Sequence, residues 1–240
     1  MNFSASKVIS SQPLSSGYYL LTIEHQQPVK MGQFYMLRAW EDYPFLSRPF
    51  SVFDAGKDSI SFVYHVVGKG TAIFSSLKPG GNINVLGPLG NGFPNIKGNA
   101  ALVGGGAGNA PLYLAAKQIK AANPNCRLDT FLGFSGEPFL TDAFEGAADS
   151  VFVKTGGYIP DDVNPAAYDY ILSCGPEAMM KALYEKCRAA GKGGQLYISM
   201  ESRMACGVGA CFVCSCLVEG SNKKICKDGP VFPAEKVFGL

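Results

Sequence analysis

The sequence has no excess of charge of either sign, because 21 Lys and Arg residues stand against 19 Asp and Glu residues in 240. A chain without a basic balance has little to attract the phosphates of nucleic acid or an anionic membrane, and we expect neither as a partner. The sequence also lacks an apolar run of the about 18 residues that a membrane-spanning helix needs. We therefore expect a globular protein that does not enter a membrane.

A secretory signal is missing as well, since the chain begins MNFSASKVIS, without the charged and apolar segments of a signal peptide. Eight cysteines in such a chain favour a reducing cytoplasm, where thiols bind a metal or stay free instead of forming disulfides. We find no internal repeat and no low-complexity tract. With 47% apolar residues, the chain is long enough for two domains and a small additional module.

Four of the cysteines stand close together near the C-terminus. Cys206, Cys211, Cys214 and Cys226 follow the pattern C-x4-C-x2-C-x11-C, the plant-type spacing for the ligands of a [2Fe-2S] cluster. The residues of the 207–210 loop are small, so the loop can wrap closely and direct backbone N–H groups at the sulfurs. We predict that these four thiolates bind two irons.

Other interpretations of these cysteines stay open. A structural zinc site also uses four thiolates, but it usually has two short CxxC-like knuckles, and here only Cys211 and Cys214 form one. Cys216 lies two residues beyond Cys214, and a strand over 214–218 would place both on one face. Cys216 is then either a spare ligand or a small buried hydrophobic residue.

The first 96 residues contain short alternating or β-branched stretches and almost no helical periodicity. Clusters of Gly, Pro, Asn and Asp separate these stretches about every dozen residues, which predicts a small antiparallel β-barrel over 1–96. The predicted strands include 18–24, 34–39, 59–67 and 82–86.

Two short motifs within this segment suit a ligand that carries phosphate. In Arg48-Pro49-Phe50-Ser51 the proline fixes the backbone, so the arginine fork and the serine hydroxyl keep a set relative direction. In Gly68-Lys69-Gly70-Thr71 the glycines allow close approach, and the first amides of a helix over 72–77 can cradle a phosphate. Each motif alone is a weak signal, and the second lacks the spacing of a Walker P-loop.

The pattern changes at Gly98 to that of an α/β domain, which we place over 97–200. A buried strand over 100–103 leads into the glycine turn GGGAGNAP of 104–111, and a helix over 112–119 follows, an arrangement that holds a nucleotide phosphate. The spacing of this turn is not the Rossmann G-x-G-x-x-G. Further strands are predicted over 128–132, 150–153 and 170–173, with a helix over 177–190.

Taken together, these motifs resemble those of the ferredoxin–NADP reductase superfamily, which carries R-x-[YF]-[ST], G-x-[GA]-[ST] and GGG-x-G-x-[AS]-P in the same order. The resemblance implies an FAD-binding barrel, with Arg48 and Thr71 on the flavin diphosphate and Ser51 near the isoalloxazine. We expect His65 to line the site without transferring a proton. The implied FAD-binding residues are Arg48, Pro49, Phe50, Ser51, Val63, Tyr64, His65, Gly70 and Thr71.

The same resemblance implies that the glycine turn approaches the diphosphate of a nicotinamide cofactor and that the C-G-P turn lies beside the nicotinamide. The alternative for Cys174 is a thiol that merely fits the core. Where related reductases often carry an Arg or Ser that selects the adenosine phosphate, this chain has GFSGE over 133–137, and we expect NAD in preference to NADP. The implied NAD-binding residues are Gly104, Gly105, Gly106, Gly108, Cys174, Gly175 and Pro176.

The order of flavin barrel, nicotinamide domain and cluster module, the last over 201–240, resembles the electron-transfer subunits of type B dihydroorotate dehydrogenases along essentially the whole chain. The most specific segments are 204–216 and 225–233. Because nicotinamide exchanges two electrons and the cluster one, FAD has to lie between them. The resemblance implies a cytoplasmic, NAD-linked oxidoreductase subunit of pyrimidine biosynthesis that works with an FMN-containing catalytic subunit, in a heterotetramer with two copies of each.

The resemblance also implies a division of labour, because this chain offers no general base for dihydroorotate, and we assign it no catalytic residue. Since electron tunnelling fades with distance, we expect the region from Cys206 to Cys226 to face the catalytic subunit. Two alternatives remain: the small flavin subunit of a ferredoxin-dependent transhydrogenase, which shares most of these motifs, and a zinc-binding, redox-sensing module on a nucleotide-binding scaffold.

Overall fold

A closed antiparallel barrel forms the first part of the computed structural model, which describes residues 2–15 and 17–239. The barrel strands follow one another in space in the order β1-β2-β5-β4-β3-β6. Alternate residues of β5 point inward, so Ile60, Phe62 and Tyr64 belong to the barrel core. The elements are β1 (Ser4–Ser15), β2 (Tyr18–Glu24), β3 (Phe34–Arg38), β4 (Arg48–Ala55), β5 (Ser59–His65), α1 (Lys69–Ser75) and β6 (Asn82–Leu89).

The predicted barrel is confirmed, with differences at the ends of its elements. Strand β5 stops at His65, and α1 starts at Lys69, so the second phosphate motif forms the first turn of the helix rather than preceding it. Strand β1 has no counterpart in the sequence prediction. Its sequence SASKVISSQPLS is largely polar and its pairing with β2 is interrupted by two register shifts, so it lacks a clear alternation.

A mostly parallel sheet with helices on both faces forms the second part, as predicted for a doubly wound domain. Helix α2 packs on one face, in a cluster with Leu102 and Leu132, and α4 packs on the other, with Val103 and Ile198. The elements are β7 (Ala100–Gly105), α2 (Ala110–Ala122), β8 (Leu128–Phe134), α3 (Thr141–Glu145), β9 (Ser150–Thr155), β10 (Tyr170–Cys174), α4 (Glu177–Ala189) and β11 (Leu196–Ser199).

The C-terminal segment contacts both of the preceding parts. Its hairpin and short helix pack against the barrel, where Met36 and Leu89 share a core cluster with Cys214 and Cys226. Its last strand pairs antiparallel with β11 and so completes the second sheet. The elements are β12 (Ser215–Val218), β13 (Ser221–Lys224), α5 (Ile225–Asp228), β14 (Val231–Pro233) and α6 (Ala234–Phe238).

The strand order of the second sheet determines where a ligand can bind. The order is β14-β11-β10-β7-β8-β9, so the chain crosses from β9 over to β10 on the far side of β7. The connections that leave the carboxyl ends of β7 and β10 therefore diverge, and a crevice opens between them. The glycine turn and the C-G-P turn both lie at this crevice.

Helix α2 fixes the orientation of the barrel relative to the sheet. The ring of Tyr113 stacks on Phe53 with centroids 4.6 Å apart, and Lys117 Nζ lies 2.5 Å from Asp54 Oδ1. The Gln118 side chain accepts a hydrogen bond from the Met31 amide at 2.8 Å. These contacts hold β4 and the segment before β3 of the barrel against α2, which itself packs on the sheet. Among residues 2–15 and 17–239, no helix is long and apolar enough to cross a membrane.

Candidate functional site

The four predicted cluster ligands come together as two pairs of sulfurs. Cys206 lies within hydrogen-bond reach of Cys211, and Cys214 within reach of Cys226. Three of them lie in the loop between β11 and β12, and Cys226 lies in α5. Cys214 and Cys226 are buried, whereas Cys211 is exposed at the surface. The pairs therefore have one protected side and one side that faces outward.

Backbone amides point at the sulfurs, as the small residues of the loop predict. The amide of Gly209 donates to Cys226 Sγ at 3.1 Å, and the amide of Ala210 donates to Cys206 Sγ at 3.3 Å. Gly207 and Gly209 both have positive φ, at 71° and 82°, which favours glycine. A Cβ at Gly207 would also lie 2.6 Å from Met36 Cγ, so the loop can follow the barrel this closely only with glycine there.

The surroundings of the sulfurs change their acidity in opposite directions. Burial by itself would raise the pKa of the Cys206 thiol, but hydrogen bonds from the Val208, Ala210 and Cys211 amides and from the Cys211 thiol lower that pKa to about 6. Burial, together with the hydrogen bond to Cys214, raises the pKa of the Cys226 thiol to about 12. The amide-rich part of the loop thus stabilises a thiolate, which is the form that binds iron.

The two pairs supply four thiol ligands, the number that a [2Fe-2S] cluster takes. All eight cysteines are free thiols in the structure. Two thiolates for each of two irons match the arrangement of the sulfurs.

Cys216 lies near Cys214, and burial together with the Cys214 charge raises the pKa of the Cys216 thiol. Strand β12 begins at Ser215, one residue after the predicted start, and Cys214 and Cys216 belong to the same core cluster. Cys216 packs at the edge of this cluster, which includes Met36 and Leu89. These contacts favour the interpretation of Cys216 as a small hydrophobic residue.

A cleft opens between the barrel and the sheet next to the first phosphate motif. The guanidinium of Arg48 lies over the ring of Trp40, 5.4 Å from the centroid, and a Cβ at Gly70 would lie 2.9 Å from Arg48 Nε. The lining residues are Phe34, Pro49, Phe50, Ser51, Val63, Tyr64, His65, Ala107, Ala110, Pro111, Met200, Glu201, Ser202, Met204 and Pro230.

Of the predicted FAD-binding residues, Arg48, Gly70 and Thr71 are not among the lining residues, and Tyr64 reaches the cleft from the barrel core. The Thr71 hydroxyl accepts hydrogen bonds from the amides of Val67 at 3.0 Å and Gly68 at 3.1 Å, so it shapes the turn before α1. The ring of Tyr64 packs inside the barrel against Phe50 and Phe74 and exposes 2% of the residue. The sequence motif cannot distinguish a hydroxyl that contacts a ligand from one that fixes the loop around it.

A second cleft continues from the first along the carboxyl ends of β7, β8 and β10. The two clefts share Ala107, Met200 and Glu201. The glycine turn lines the second cleft through Gly105, Gly106 and Gly108, and the C-G-P turn through Gly175 and Pro176, whereas the predicted Gly104 and the buried Cys174 are not among the lining residues. Its lining residues are Tyr18, Gly105, Gly106, Ala107, Gly108, Gly133, Phe134, Ser135, Gly156, Gly157, Tyr158, Ile159, Gly175, Pro176, Glu177, Ala178, Met179, Met180, Met200 and Glu201.

Glycine is required where the two turns meet. A Cβ at Gly108 would lie 2.4 Å from the Cys174 carbonyl oxygen and 2.5 Å from the Gly175 Cα, both of which are backbone atoms. Gly106 has a φ of 56°. The Asn109 side chain donates to the Gly133 carbonyl at 3.2 Å and so ties the turn to β8. The close approach keeps the backbone of the turn open to a ligand in the cleft.

Glu201 and Tyr18 are among the lining residues that the sequence prediction missed. Glu201 is exposed to the open cleft, but its Oε1 lies 3.8 Å from the buried Cys174 Sγ, and desolvation on that side raises the pKa of its carboxyl. Tyr18 reaches the second cleft from the barrel, between the rings of His65 and Phe139 at 4.5 and 4.4 Å. Neither residue belongs to a local motif, so the sequence carries no signal for them.

The barrel, the doubly wound sheet and the continuous cleft between them define a two-domain reductase fold. A ferredoxin NADP+ reductase from Neisseria gonorrhoeae, solved with bound FAD and NADP, shares the fold with a TM-score of 0.70 at 18% identity over 82% of this chain and 98% of its own. The structure of an NADH-dependent reduced ferredoxin-NADP oxidoreductase matches with a TM-score of 0.86 and 29% identity, over 98% of this chain and 90% of that one.

Sequence comparisons narrow the class to one family. Residues 201–238 match the model of the iron-sulfur cluster binding domain of dihydroorotate dehydrogenase B. The electron transfer subunits of dihydroorotate dehydrogenase B (NAD(+)) from Clostridium acetobutylicum and Clostridium perfringens are 44% and 40% identical, over 96% and 97% of this chain and 95% and 96% of theirs. The chain belongs to this family of dihydroorotate dehydrogenase B electron transfer subunits.

Proposed function

We propose that this protein passes electrons from a dihydroorotate-oxidising catalytic subunit through a [2Fe-2S] cluster and an FAD to NAD+. Family membership over nearly the whole chain supports the assignment. The observation that carries it is the continuous cleft, whose first half is lined by the barrel motif and whose second half by the two nucleotide turns. A ligand in one half would meet a ligand in the other at Ala107, Met200 and Glu201.

The residues of each half fit the group that we assign to it. Arg48 and the first turn of α1 would hold the FAD diphosphate, and Ser51 and His65 would line the ring half of the cleft. The glycine turn and the C-G-P turn would hold NAD. A bound flavin would exchange electrons with the cluster one at a time and with the nicotinamide two at a time, which would allow it to link the two.

An absorption spectrum of protein purified without oxygen tests the proposal. We expect flavin bands and a broad cluster shoulder, all of which bleach when NADH is added. A colourless protein that contains zinc would contradict the electron-transfer function. Flavin bands that bleach in a protein without the cluster shoulder would support the nicotinamide and flavin sites and contradict the electron path.

The proposal also extends to the identity of the partner subunit and the number of copies of each chain. The family name, electron transfer subunit, implies a catalytic subunit, and we propose an FMN-containing one in a heterotetramer with two copies of each chain. The free state of all eight cysteines supports a location in the reducing cytoplasm. A relative in another complex, such as the oxidoreductase with a TM-score of 0.86, is the alternative. Co-purification identifies the partner and sedimentation gives the stoichiometry.

Exposed apolar side chains around the sulfur pairs suit a protein partner. Val208, Phe212, Val213 and Leu217 are each between 41% and 63% exposed, and Cys211 lies among them at the surface. Apolar groups in one exposed area are typical of an interaction site. We propose that the catalytic subunit docks here. Cross-links confined to the far side of the barrel would contradict this placement.

Replacement of Arg48 by alanine is expected to weaken FAD binding by about tenfold to 100-fold, since a charge-assisted hydrogen bond contributes about 1.5–3 kcal/mol. Arg48→Lys keeps the charge without the guanidinium fork, and its affinity for FAD should fall between those of the wild type and Arg48→Ala. Fluorescence titration of the apoprotein with FAD measures the dissociation constant. Lys57→Ala, in the turn between β4 and β5, is the control, and an equal loss there would show that the effect is not local to Arg48.

Replacement of Glu201 by glutamine is expected to change how the flavin potential depends on pH. Because the pKa of Glu201 is raised, its carboxyl is neutral below that pKa and becomes negative as the pH rises through it. A negative charge there disfavours electron gain by the flavin, so the wild-type potential should fall relative to E201Q only at the higher pH. The expected difference is on the order of 20 mV, equivalent to about 1 kcal/mol for two electrons.

Spectroelectrochemical titration of both proteins at several pH values provides the measurement. The two potentials should coincide below the pKa of Glu201 and separate above it. A constant offset at every pH would mean that Glu201 does not titrate in the folded protein. Glu137→Gln, with an acidic residue in the loop after β8, is the matched control for the loss of one carboxylate.

A further inference from the structure

An ion pair lies beside the second cleft, outside the residues assigned so far. Lys154 lies near the end of β9, and its Nζ is 2.9 Å from Asp162 Oδ2. The same ammonium donates to the Tyr158 carbonyl at 3.3 Å. A Cβ at Gly157 would lie 3.3 Å from Lys154 Cε. Because Gly157 and Tyr158 line the cleft, the ion pair lies directly behind its wall.

A nicotinamide dinucleotide in the second cleft would place its adenosine end near this ion pair. In an open α/β sheet the diphosphate lies on the turn after the first strand, here β7, and the adenosine ribose lies toward the end of the second strand, here β8. The cleft wall continues from Gly133 and Ser135 after β8 to Gly156 after β9. The ribose hydroxyls would therefore face the region of Lys154.

The cleft itself has no cation for an additional phosphate. Its described lining residues include no lysine and no arginine, and the charged side chains among them are Glu177 and Glu201. NADP differs from NAD by a phosphate on the ribose 2′ oxygen, and such a phosphate is stabilised by Arg or Lys. Lys154 is a cation immediately behind the adenosine end of the wall, but its ammonium is already paired with the Asp162 carboxylate.

We propose that Asp162 is a specificity-determining residue, which keeps the cleft selective for NAD(H) by neutralising Lys154. This inference rests on the proposed function, because it assumes that the second cleft binds a nicotinamide dinucleotide. A 2′-phosphate would have to draw Lys154 away from Asp162, and the Asp162 carboxylate would then remain near the phosphate as a like charge. The unmodified ribose of NAD requires neither change.

The test compares two probes on the FAD-loaded chain by isothermal titration calorimetry. Adenosine 2′,5′-bisphosphate carries the additional phosphate, and adenosine 5′-monophosphate lacks it. In Asp162→Asn we expect the affinity for the bisphosphate to rise about fivefold, the size of one exposed charge contact, and the affinity for the monophosphate to stay within about twofold. The ratio of kcat/KM for NADPH to that for NADH in flavin reduction should rise by a similar factor.

Two further variants make the test specific to the ion pair. Asp161→Asn removes an equal charge from the neighbouring exposed residue and should leave both affinities unchanged. Lys154→Gln combined with Asp162→Asn should abolish the gain. The inference would be overturned if the affinity for the bisphosphate did not rise in Asp162→Asn, rose equally in Asp161→Asn, or still rose when Lys154→Gln was added. In each of these cases, binding of NADH by the wild type would leave the proposed function intact. Failure of the wild type to bind either NADH or the monophosphate would overturn both.

Discussion

Replacement of Cys214 by serine is expected to abolish cluster binding and to leave the flavin in place. Loss of a direct thiolate ligand should lower the affinity for the cluster at least about 100-fold, the upper end of the loss seen when only an outer contact is removed. The sulfur pair of Cys214 and Cys226 is buried, so water has little access to the ligand position that the serine would leave open. The FAD cleft is lined by other residues, and NADH should still reduce the flavin.

Iron and sulfide analysis, visible absorption and electron paramagnetic resonance of the reduced protein measure the loss. Transfer from NADH to a one-electron acceptor should fall with the iron content. Cys216→Ser is the matched control, because it changes the same atom two residues away and outside both sulfur pairs. A Cys214→Ser protein that retains its cluster, or a Cys216→Ser protein that loses it, would contradict the assignment of ligands.

Replacement of Gly108 by alanine is expected to damage the nucleotide cleft more than any other single methyl group added there. The new Cβ would lie 2.4 Å from the Cys174 carbonyl oxygen, and the glycine turn and the C-G-P turn would have to separate. Such crowding costs about 1–3 kcal/mol, which lowers the melting temperature by about 3–10 °C in a chain of this size. The affinity for NADH should fall at least about tenfold, because both turns form the cleft wall.

Thermal unfolding and NADH titration of the flavin-loaded protein test this prediction. Gly136→Ala, in the loop after β8, is the control, since a Cβ at Gly136 would meet no atom within 4 Å and the residue is exposed. That variant should match the wild type in stability and in NADH affinity. If both variants bind NADH equally well, the contact between the two turns does not determine the shape of the site.

The structure adds the side-chain directions, which the sequence motifs do not give. Thr71 carries a hydroxyl in the position that a phosphate-binding motif predicts, but its oxygen accepts the amides of Val67 and Gly68. Tyr64 follows Val63 in the strand, yet its ring points into the barrel because neighbouring residues of a strand face opposite sides. A motif therefore locates the wall of a site, whereas the fold decides which atoms of the motif face the ligand.

The sequence alone determined the features that depend on local spacing. The interval between Cys206, Cys211 and Cys214 identifies the cluster loop, since a loop of fixed length can close round a cluster only in a few ways. The glycine turn and the C-G-P turn each follow a recognisable strand, and their order along the chain predicts a barrel, a doubly wound sheet and a cluster module. The polar strand β1 escaped this reasoning because it has no clear alternation.

The tertiary structure decided which distant residues meet. Tyr18 of the barrel lines the nucleotide cleft, Glu201 approaches Cys174 across 27 residues, and the sulfurs associate as Cys206 with Cys211 and Cys214 with Cys226. These contacts follow from the packing of α2 on the barrel and of β14 on the sheet, through apolar surfaces that carry no chemical motif. Burial of apolar surface drives that packing and has no directional preference. The contacts that it produces between distant residues can therefore be read only from the folded structure.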